Sequence, residues 1–432
     1  MASIIDLKIP KPLATALRLP VSNPKSQQKK VLKKLLKKAK FTEFGQKYHF
    51  DDALFNKNIE KRFQELVPVH DYNSIYNQWW KKTLDGNPDV TWPGKIKYYA
   101  LSSGTSEAAS KYIPITSDML RSNTINYIRQ VMSVFSYQDA NIMSLTKGFL
   151  MLGGATNLER GKAGWYAGDL SGILARKRPF WFQTFYKPGG RIAAMKDWSQ
   201  KLNEIVEHAK DWDIGCIVGV PAWCQMCMEM IIEHYKLETI HDIWPNFGIF
   251  VHGGVAFEPY KKSFEKLLAK PITYVENYLS SEGFIGYKMK ENTQGMQLIT
   301  NNNIFFEFVP FDSKNFDSDG NIVKKPDAKL IDEVEVGKDY ALLMSTNAGS
   351  WRYLIGDTIR FLNTETCEIL ITGRIKHFLS LVGEHLSVEN MNRAIEEAND
   401  HFNISIPEYT VVGLPFENLF AHKWYIGTNN TV

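Results

Sequence analysis

The sequence predicts an α/β protein: a large N-terminal part of parallel or mixed sheets covered by helices, with a β subdomain, followed by a small α+β lobe. Two observations support this fold class. Between Gly148 and Val275, apolar runs typical of strands alternate with helical stretches, which indicates parallel sheets packed against helices. From Met296 to Thr372 the apolar runs are joined by short turns, which favours antiparallel strands.

The individual elements follow from the apolar pattern and its period. The predicted strands of the first part are Ile96–Leu101, Gly148–Leu152, Ile214–Val220, Gly248–Val251 and Ile272–Val275, and the predicted helices are Asp118–Phe135, Met195–Ala209 and Pro259–Lys270. The tail is predicted as a strand, a helix over Val388–Phe402 and two more strands. We expect one N-terminal domain over residues 1–372, with the β subdomain at about 296–372, and a separate lobe over residues 373–432.

Composition excludes several classes of protein. The chain has 432 residues, a net charge of +4 and 44% hydrophobic residues, so it is long enough for several subdomains. The small positive surplus does not predict a nucleic-acid partner. No apolar stretch approaches the ~20 residues that a membrane-spanning helix needs. Only four cysteines occur, which fits a reducing compartment and predicts a cytoplasmic location.

A lysine-rich helix is predicted near the N-terminus. Asn23 and Pro24 are suitable residues for its start, and Gly45 is placed to end it. Eight lysines lie between Lys25 and Lys40, a pattern found at membrane surfaces and on nucleic-acid-binding faces. No aromatic residue interleaves them, so we favour a solvated lysine face over an apolar stripe and expect no stable membrane association.

A cluster of small hydroxylated residues follows the first predicted strand. It consists of Ser102, Ser103, Gly104, Thr105 and Ser106, and Lys111 comes five residues later. Backbone N–H groups and hydroxyls in such a turn form a concave anion site, and the lysine adds a mobile positive charge. The spacing differs from that of P-loop enzymes. It predicts a phosphate-binding turn, although a flexible Ser/Gly turn has the same composition.

Two acidic residues lie beside other predicted strands. Glu282 follows the strand Ile272–Val275 at the strand end where α/β proteins bind ligands, and one carboxylate there suits Mg²⁺ with phosphates and water. Asp357 is predicted on a turn that enters the strand Thr358–Leu362, where its oxygens can accept the hydroxyls of a ribose. Each alone also fits a loop or turn acid. The hydroxylated turn, Glu282 and Asp357 in this order, each at a predicted strand end, are difficult to assign to chance.

The three motifs together resemble the Gretchen Hagen family of auxin-responsive acyl-acid amido synthetases, a branch of the adenylate-forming superfamily of acyl-CoA synthetases and luciferases. The family motifs are SSGTS with a later lysine, matched by Ser102 to Ser106 and Lys111; tyrosine then SSE, matched by Tyr278 and Ser280 to Glu282; and tyrosine then GD, matched by Tyr353, Gly356 and Asp357. The resemblance covers nearly the whole chain.

The resemblance implies ATP and Mg²⁺ as cofactors and a role for each motif residue. It implies that residues 102–111 bind pyrophosphate, that Tyr278 and Ser281 lie at the nucleotide, that Mg²⁺ lies near Glu282 and that Asp357 binds ribose. The Gly253-Gly254 turn borders the nucleotide and the acyl group, and Arg374 lies where a mobile C-terminal lobe begins. Lys111 and Glu282 are the residues we expect to act in catalysis.

Two departures from the family pattern are visible. Many members have glycine at the position of Ala108. The family also continues beyond the equivalent of Val432, so we expect the lobe at 373–432 to be incomplete. The partners expected from the resemblance are a small carboxylic acid and an amine, by family analogy an amino acid, and no nucleic acid.

The expected reaction is activation of a carboxylic acid as an acyl-adenylate, followed by transfer to the amine. Two alternatives stay open: an acyl-CoA ligase that shares the first step, and a non-catalytic protein that binds a nucleotide or an acyl acid. The sequence does not identify the acid, the acceptor or the oligomeric state. Cys224 and Cys227 form a CxxC pair without a second pair, which predicts core packing on a helix.

Overall fold

Two sheets and the helices packed on them form the framework of the protein. The computed structural model describes residues 23–102, 111–291, 293–317, 320–376, 378–379, 386–402, 404–416 and 419–428. Ser103, Gly104, Thr105 and Ser106 of the predicted phosphate-binding turn, and Ala108, lie outside the described residues. Two residues of that motif, Ser102 and Lys111, lie within them.

The helices concentrate at the start of the chain and between the parallel strands. They are α1 (Pro24–Ala39), α2 (Glu43–Lys47), α3 (Phe50–Phe55), α4 (Ile59–Leu66), α5 (Tyr72–Ile75), α6 (Lys81–Leu84), α7 (Ser117–Ser133), α8 (Leu170–Arg176), α9 (Gly190–Ala193), α10 (Trp198–His208), α11 (Pro221–Tyr235), α12 (Glu258–Glu265) and α13 (Val388–Phe402). A π-helical turn spans Tyr76–Trp80, and short 3-10 helices include Ile142–Thr146 and Phe180–Phe182.

The strands lie between and after these helices. They are β1 (Tyr98–Ser102), β2 (Lys111–Ile115), β3 (Gly148–Met151), β4 (Glu159–Arg160), β5 (Tyr166–Gly168), β6 (Tyr186–Lys187), β7 (Ile214–Gly219), β8 (Ile249–Gly253), β9 (Thr273–Ser280), β10 (Gly283–Tyr287), β11 (Met296–Leu298), β12 (Ile304–Pro310), β13 (Asp339–Thr346), β14 (Tyr353–Asn363), β15 (Glu368–Arg374), β16 (Phe378–Leu379), β17 (Leu386–Ser387), β18 (Glu408–Phe416) and β19 (Leu419–Gly427).

One large sheet combines parallel and antiparallel strands. Its order is β12-β13-β14-β15-β11-β10-β9-β8-β7-β3-β6. Neighbours along the row β6-β3-β7-β8-β9 are parallel. Neighbours along the row β9-β10-β11-β15-β14-β13-β12 are antiparallel. The smaller sheet has the order β2-β1-β5-β4. The α/β fold class predicted from the sequence is therefore confirmed.

The predicted β region belongs to the same sheet as the parallel strands. The run from Met296 to Thr372 does form antiparallel strands, β11 to β15, as the short turns predicted. These strands pair through β10 with β9, the last parallel strand. The parallel strands therefore share one sheet with β14 and β15, and only β10 and β11 separate β9 from β15.

The parallel strands are buried on both faces, which explains their continuous apolar runs. On one face Ile217 and Phe250 pack in a core with α10, α11 and α12. On the other face Cys216, Ile249 and Val275 pack with residues at the end of α7. The predicted strands and helices of this part are all present, with ends shifted by a few residues.

The first helix starts as predicted but ends before Gly45. The Asn23 side chain accepts a hydrogen bond from the Lys25 backbone N–H, and Pro24 is the first helical residue. The helix ends at Ala39, and Gly45 lies inside α2. The prediction that Gly45 ends the helix is therefore wrong. A side chain at Gly45 would meet the Ala39 carbonyl, so close packing of two helices explains the glycine.

A buried ion pair joins the helical start to the large sheet. The Arg352 guanidinium, directly before β14, donates to both oxygens of Glu307 on β12 at 2.9–3.1 Å. Its Nη1 also donates to the carbonyls of Gln64 and Val67 at the C-terminal end of α4, at 2.9 and 2.7 Å. A cation is favourable there because it satisfies helix-end carbonyls. Both charged side chains are nearly inaccessible to solvent.

The end of the chain forms a hairpin and a helix that contacts the rest of the protein. Helix α13 spans Val388–Phe402 as predicted, and β18 pairs with β19. The Lys262 ammonium of α12 lies 2.6 Å from the Asp400 carboxylate of α13. Among the described residues, no helix is both long enough and apolar enough to cross a bilayer.

Candidate active site

The Gly253-Gly254 pair lies where the parallel strands end. Gly253 is the last residue of β8 and is paired in register with Asn277 of β9. A Cβ at Gly253 would collide with the Asn277 carbonyl and side chain, and Gly254 has a φ of 86°. Only glycine fits both requirements without strain. The pair therefore leaves a stretch of bare backbone at the strand end.

Glu282 lies in a two-residue turn at the neighbouring strand end. Ser281 and Glu282 connect β9 to β10, because Ser280 and Gly283 are the last paired residues. The Glu282 carboxyl is buried, with 9% of the residue exposed. Burial, together with the nearby Asp357 carboxylate, raises its pKa to about 7. A bound cation would remove this cost of burying a charge.

Asp357 accepts hydrogen bonds from two other motif residues. The Tyr278 hydroxyl donates to Asp357 Oδ2 at 2.6 Å, and Arg374 Nε donates to Oδ1 at 2.7 Å. Burial and the Asp357 charge raise the pKa of Tyr278, which keeps its hydroxyl protonated as a donor. Burial disfavours the Arg374 charge, but Asp357 outweighs it and the pKa of Arg374 is raised. Asp357 is thus held rigidly from two sides.

The position of Asp357 differs from the prediction. It was expected on a turn before a strand that starts at Thr358, but β14 already begins at Tyr353. Asp357 lies inside β14 opposite Arg374 of β15. Gly356 has a φ of 96°, and the pairing register shifts between Thr358 and Ile359. This irregularity has the composition of a turn, which is why the sequence pattern indicated one.

Lys111 begins β2 directly opposite Ser102, the last residue of β1. Its ammonium lies 5.5 Å from the centre of the Tyr72 ring. Burial lowers the pKa of Lys111, while the Glu282 carboxylate opposes that effect and the Arg374 charge adds to it. No carboxylate forms an ion pair with Lys111 among the described residues, so its charge is available to a ligand.

The fold brings these residues into one electrostatic cluster. Glu282 interacts with both Asp357 and Lys111, and Arg374 interacts with Asp357, Tyr278 and Glu282. The residues come from three separate segments of the chain, at the ends of β1–β2, β9–β10 and β14–β15. Two cations and two carboxylates therefore meet around the β9–β10 turn.

Sequence reasoning did not identify the contribution of the N-terminal helices to this cluster. The backbone of His70 pairs with β14 through bonds to the Arg352 carbonyl and the Leu354 N–H. That pairing places Tyr72 beside Lys111, where its hydroxyl also accepts the Tyr112 backbone N–H at 2.9 Å. No motif surrounds Tyr72 in the sequence, so only the tertiary pairing reveals it.

A second acidic side chain, Glu276, lies near the same strand ends. It is in register with His252, the residue before Gly253. Burial and the Glu258 carboxylate raise the pKa of Glu276 to about 7, against the opposing effect of Lys288. Burial and Lys288 lower the pKa of His252 to about 3, so its imidazole is neutral.

Stability should fall as the pH rises through the titration range of Glu276. Its pKa in the folded protein lies above the ordinary value of 4.5, so the folded state keeps a proton that the unfolded chain loses between about pH 4.5 and 7. We expect this group alone to cost about 1–3 kcal/mol of unfolding free energy over that range. Urea unfolding at a series of pH values should show a smaller loss in Glu276→Gln than in the wild type, because Glu282 keeps its own contribution. The exposed Glu233→Gln is the control, and parallel pH profiles for Glu276→Gln and the wild type would contradict the assignment.

Comparison with known proteins decides the family. Residues 15–203 and 155–272 match the GH3 family N-terminal domain, and residues 297–374 match the GH3 family central domain. The chain belongs to the GH3 family. The matches cover most of the chain, including the first and third sequence motifs, and place it in the adenylate-forming superfamily; Tyr278 to Glu282 lie between the two matched regions.

Curated GH3 relatives are similar along most of the chain. Indole-3-acetic acid-amido synthetase GH3.4 of Arabidopsis thaliana is 24% identical over 446 aligned positions, covering 87% of this chain and 71% of the relative. Jasmonoyl–L-amino acid synthetase GH3.5 of Oryza sativa subsp. japonica is 22% identical, covering 86% of this chain and 74% of the relative. These family relatives are ligases that form amides.

Solved structures share the fold. GH3.15 acyl acid amido synthetase in complex with 2,4-DB superposes with a TM-score of 0.74 at 17% identity, covering 97% of this chain and 80% of that one. A 2-hydroxyisobutyryl-CoA ligase in complex with 2-HIB-AMP superposes with a TM-score of 0.60 at 12% identity, covering 90% and 74%. At these identities the likeness concerns the fold.

Proposed function

We propose that this GH3 protein joins a carboxylic acid to an amine, with amino acids as the proposed acceptors, in two steps that consume ATP. The observation that supports this proposal most is the cluster around the β9–β10 turn, which contains Lys111, Glu282 and the Tyr278–Asp357–Arg374 network. It combines charges suited to phosphates, a metal ion and a ribose. The GH3 membership supports the same reaction.

In the first step, a carboxylate oxygen of the acid attacks the α-phosphorus of ATP. The new P–O bond gives an acyl-adenylate, and the bond to the β-phosphate breaks to release pyrophosphate. In the second step, the nitrogen of the amine attacks the acyl carbon, AMP leaves with the electron pair, and the amine loses a proton. The protein needs no nucleophile of its own, because positioning and neutralisation of charge are sufficient.

Lys111 is proposed to neutralise charge on the phosphates. It lies at the end of the hairpin that bears Ser102 and, outside the described residues, Ser103, Gly104, Thr105 and Ser106. A half-buried ammonium without an ion pair is suited to this role, because a phosphate can replace the water that it lacks.

The nucleoside is proposed to lie between the two strand ends and β14. Asp357 has unused lone pairs on both carboxylate oxygens after its bonds to Tyr278 and Arg374, so it can accept ribose hydroxyls. The backbone of Gly253 and Gly254 permits close approach of the nucleotide or the acyl group. Ser281, in the β9–β10 turn, is also proposed to contact the nucleotide.

Glu282 is proposed to bind Mg²⁺ together with the phosphates. Among the described residues, no three acidic, histidine or cysteine side chains lie together in a manner that could hold a metal. A single carboxylate such as that of Glu282 is sufficient for Mg²⁺, which usually takes one or two carboxylates and completes its shell with phosphates and water. The raised pKa of Glu282 fits as well, because the cation would offset the burial of its charge. Bound Mg²⁺ would supply charge neutralisation at the transferring phosphate.

Loss of the Glu282 carboxylate should therefore alter the dependence on Mg²⁺. For Glu282→Gln we expect at least a tenfold higher Mg²⁺ concentration for half-maximal rate and a rate about 100-fold lower. The measurement is a Mg²⁺ titration of acid-dependent pyrophosphate exchange. Glu291→Gln, in an exposed turn of the same region, is the matched control. An unchanged Mg²⁺ titration in Glu282→Gln would exclude this role.

Residues 373–432 are proposed to act as a lobe that closes over the nucleotide. Arg374 lies at its start and binds Asp357, so movement of the lobe would change the ribose site. The Lys262–Asp400 ion pair joins the same lobe to α12. The reducing cytoplasm is the proposed compartment, which agrees with four buried cysteines that form no disulfide.

The acceptor distinguishes this proposal from its alternatives. The full chain would be incubated with Mg·ATP, a panel of aryl, indole and fatty acids, and either a mixture of amino acids or CoA, and the products identified by mass. An amide and AMP support the proposal. A thioester formed only with CoA would favour an acyl-CoA ligase, and ATP binding without any product would favour a non-catalytic binding protein.

A further inference from the structure

One stretch of the surface has many cations and no acidic residue. Residues 170–196 contain six lysines and arginines, five aromatic residues other than histidine, and no aspartate or glutamate. The stretch covers α8, the 3-10 helix Phe180–Phe182 and β6, the last strand at one edge of the large sheet. None of its residues belongs to the cluster of Lys111, Glu282 and Asp357.

The aromatic turn in this stretch presents large apolar side chains to solvent. Phe180 is 84% exposed, Trp181 48% and Phe185 36%. The turn is anchored by Phe182, whose ring packs edge-on against Phe149 of β3 at 5.2 Å. Exposure of three large rings within six residues is unusual, because scattered single residues are the norm on soluble surfaces.

Two cations beside this turn have aromatic partners and no acidic ones, whereas Arg191, farther along the stretch, pairs with Glu204. The Lys177 ammonium lies 4.9 Å from the Tyr98 ring centre, and the Arg178 guanidinium lies 4.1 Å from that of Tyr186. No salt bridge is found for either side chain in the described part of the chain. A ring face orients a cation without neutralising it, so the positive charge remains available to a partner.

A shallow concavity next to Lys177 adds to the positive surface. It has a volume of about 390 Å³ and is lined by Lys97, Tyr98, Ser117, Leu120, Arg121, Thr124 and Lys177. It lies at the start of α7, where helix N–H groups favour anions. Tyr98 pairs with Ile115, at the other end of the β1–β2 hairpin from Ser102 and Lys111. The length of a five-residue strand, about 15 Å, separates the two places.

We propose that this face docks reversibly on a membrane surface rich in anionic lipids. Phe180, Trp181 and Phe185 enter the headgroup region, where aromatic rings are favourable, and Lys177, Arg178 and the concavity receive lipid phosphates. The inference is independent of the proposed ligase reaction. It concerns peripheral, salt-sensitive binding and requires no membrane-spanning helix.

The same geometry disfavours a nucleic acid as the occupant. Single-stranded nucleic acids bind by stacking bases on aromatic rings beside cations. Here the rings of Tyr98 and Tyr186 are already covered by Lys177 and Arg178. The exposed rings instead belong to one protruding turn, an arrangement that suits insertion between lipid headgroups.

Sedimentation with lipid vesicles tests the proposal directly. The full chain would be mixed with neutral phosphatidylcholine vesicles and with vesicles that also contain phosphatidylserine, at low and high salt. We expect binding to the anionic vesicles only, and weaker binding at high salt. Each cation near such a surface contributes about fivefold to partitioning, so Lys177→Glu should lower it at least fivefold. Phe180→Ser with Trp181→Ser should lower it at least tenfold.

Matched controls separate this face from other surfaces. Phe55→Ser removes an isolated ring that is 88% exposed on α3, and Lys33→Glu with Lys37→Glu reverses charges on the lysine-rich α1. Both should bind vesicles like the wild type. All variants should retain the wild-type rate of pyrophosphate exchange with a water-soluble acid, or the wild-type circular dichroism if no acid is turned over.

Three results would overturn the proposal. The first is equal binding to neutral and anionic vesicles, or none to either. The second is loss of binding in the α1 variants but not in the variants of the aromatic turn and Lys177. The third is salt-sensitive binding of single-stranded DNA that the same face variants abolish, while vesicles are not bound.

Discussion

Replacing Lys111 by alanine is expected to lower acid-dependent ATP–pyrophosphate exchange by about 100-fold or more. The Lys111 ammonium is half-buried at the start of β2 and interacts electrostatically with Glu282 at the proposed phosphate site. Removal of one preorganised charge at a reacting centre typically costs 10²–10³ in rate. The measurement is the initial rate of acid-dependent exchange at saturating Mg·ATP, compared with the wild type.

Two control variants identify the cause of that loss. Lys95→Ala removes an exposed lysine three residues before β1 and should leave the exchange rate unchanged. Lys111→Arg keeps the positive charge and should recover part of the rate. If Lys111→Ala exchanged pyrophosphate within about threefold of the wild type, the ammonium would have no part in neutralising the phosphates.

Replacing Arg352 by methionine is expected to give the largest loss of stability. The change leaves the buried Glu307 carboxylate without its cation and leaves the Gln64 and Val67 carbonyls without a donor. Breaking one side of a buried ion pair costs about 3–5 kcal/mol. The urea unfolding midpoint, followed by tryptophan fluorescence and circular dichroism, measures the loss.

Arg360→Met, on β14 itself, is the matched control. Arg360 pairs with Asp339 through two bonds at 2.9 Å, but about a third of each side chain is exposed. A partly exposed pair contributes no more than about 1 kcal/mol. A midpoint for Arg352→Met that is as close to the wild type as that of Arg360→Met would show that the buried pair does not hold α4 to the sheet.

Local pattern predicted that Glu282 follows a strand end, whereas the family resemblance pointed to the Gly253-Gly254 pair. The Gly253-Gly254 pair and the Ser281-Glu282 turn directly follow apolar runs, and those runs are adjacent parallel strands in the structure. Because parallel strands place their carboxyl ends on one edge, sequence order alone brings these residues together. For Cys224 and Cys227, the lack of a second CxxC pair and the helical spacing predicted core packing, and both residues are fully buried.

Contacts between distant segments were not predictable from the sequence. The bonds from Tyr278 and Arg374 to Asp357 depend on how β15 pairs with β14 and with β11, and no periodicity specifies that register. The Arg352–Glu307 pair similarly joins residues 45 positions apart. Glu307 lies within an apolar run and Arg352 within a motif, so neither residue indicates its partner.

ATP–pyrophosphate exchange tests most directly whether this GH3 protein forms acyl-adenylates. The full chain would be assayed with Mg·ATP, labelled pyrophosphate and a panel of aryl, indole and fatty carboxylic acids, with Asp357→Ala as the negative control. We expect exchange that requires one class of acid and disappears in the variant. Measurable ATP binding without exchange for any acid would contradict it.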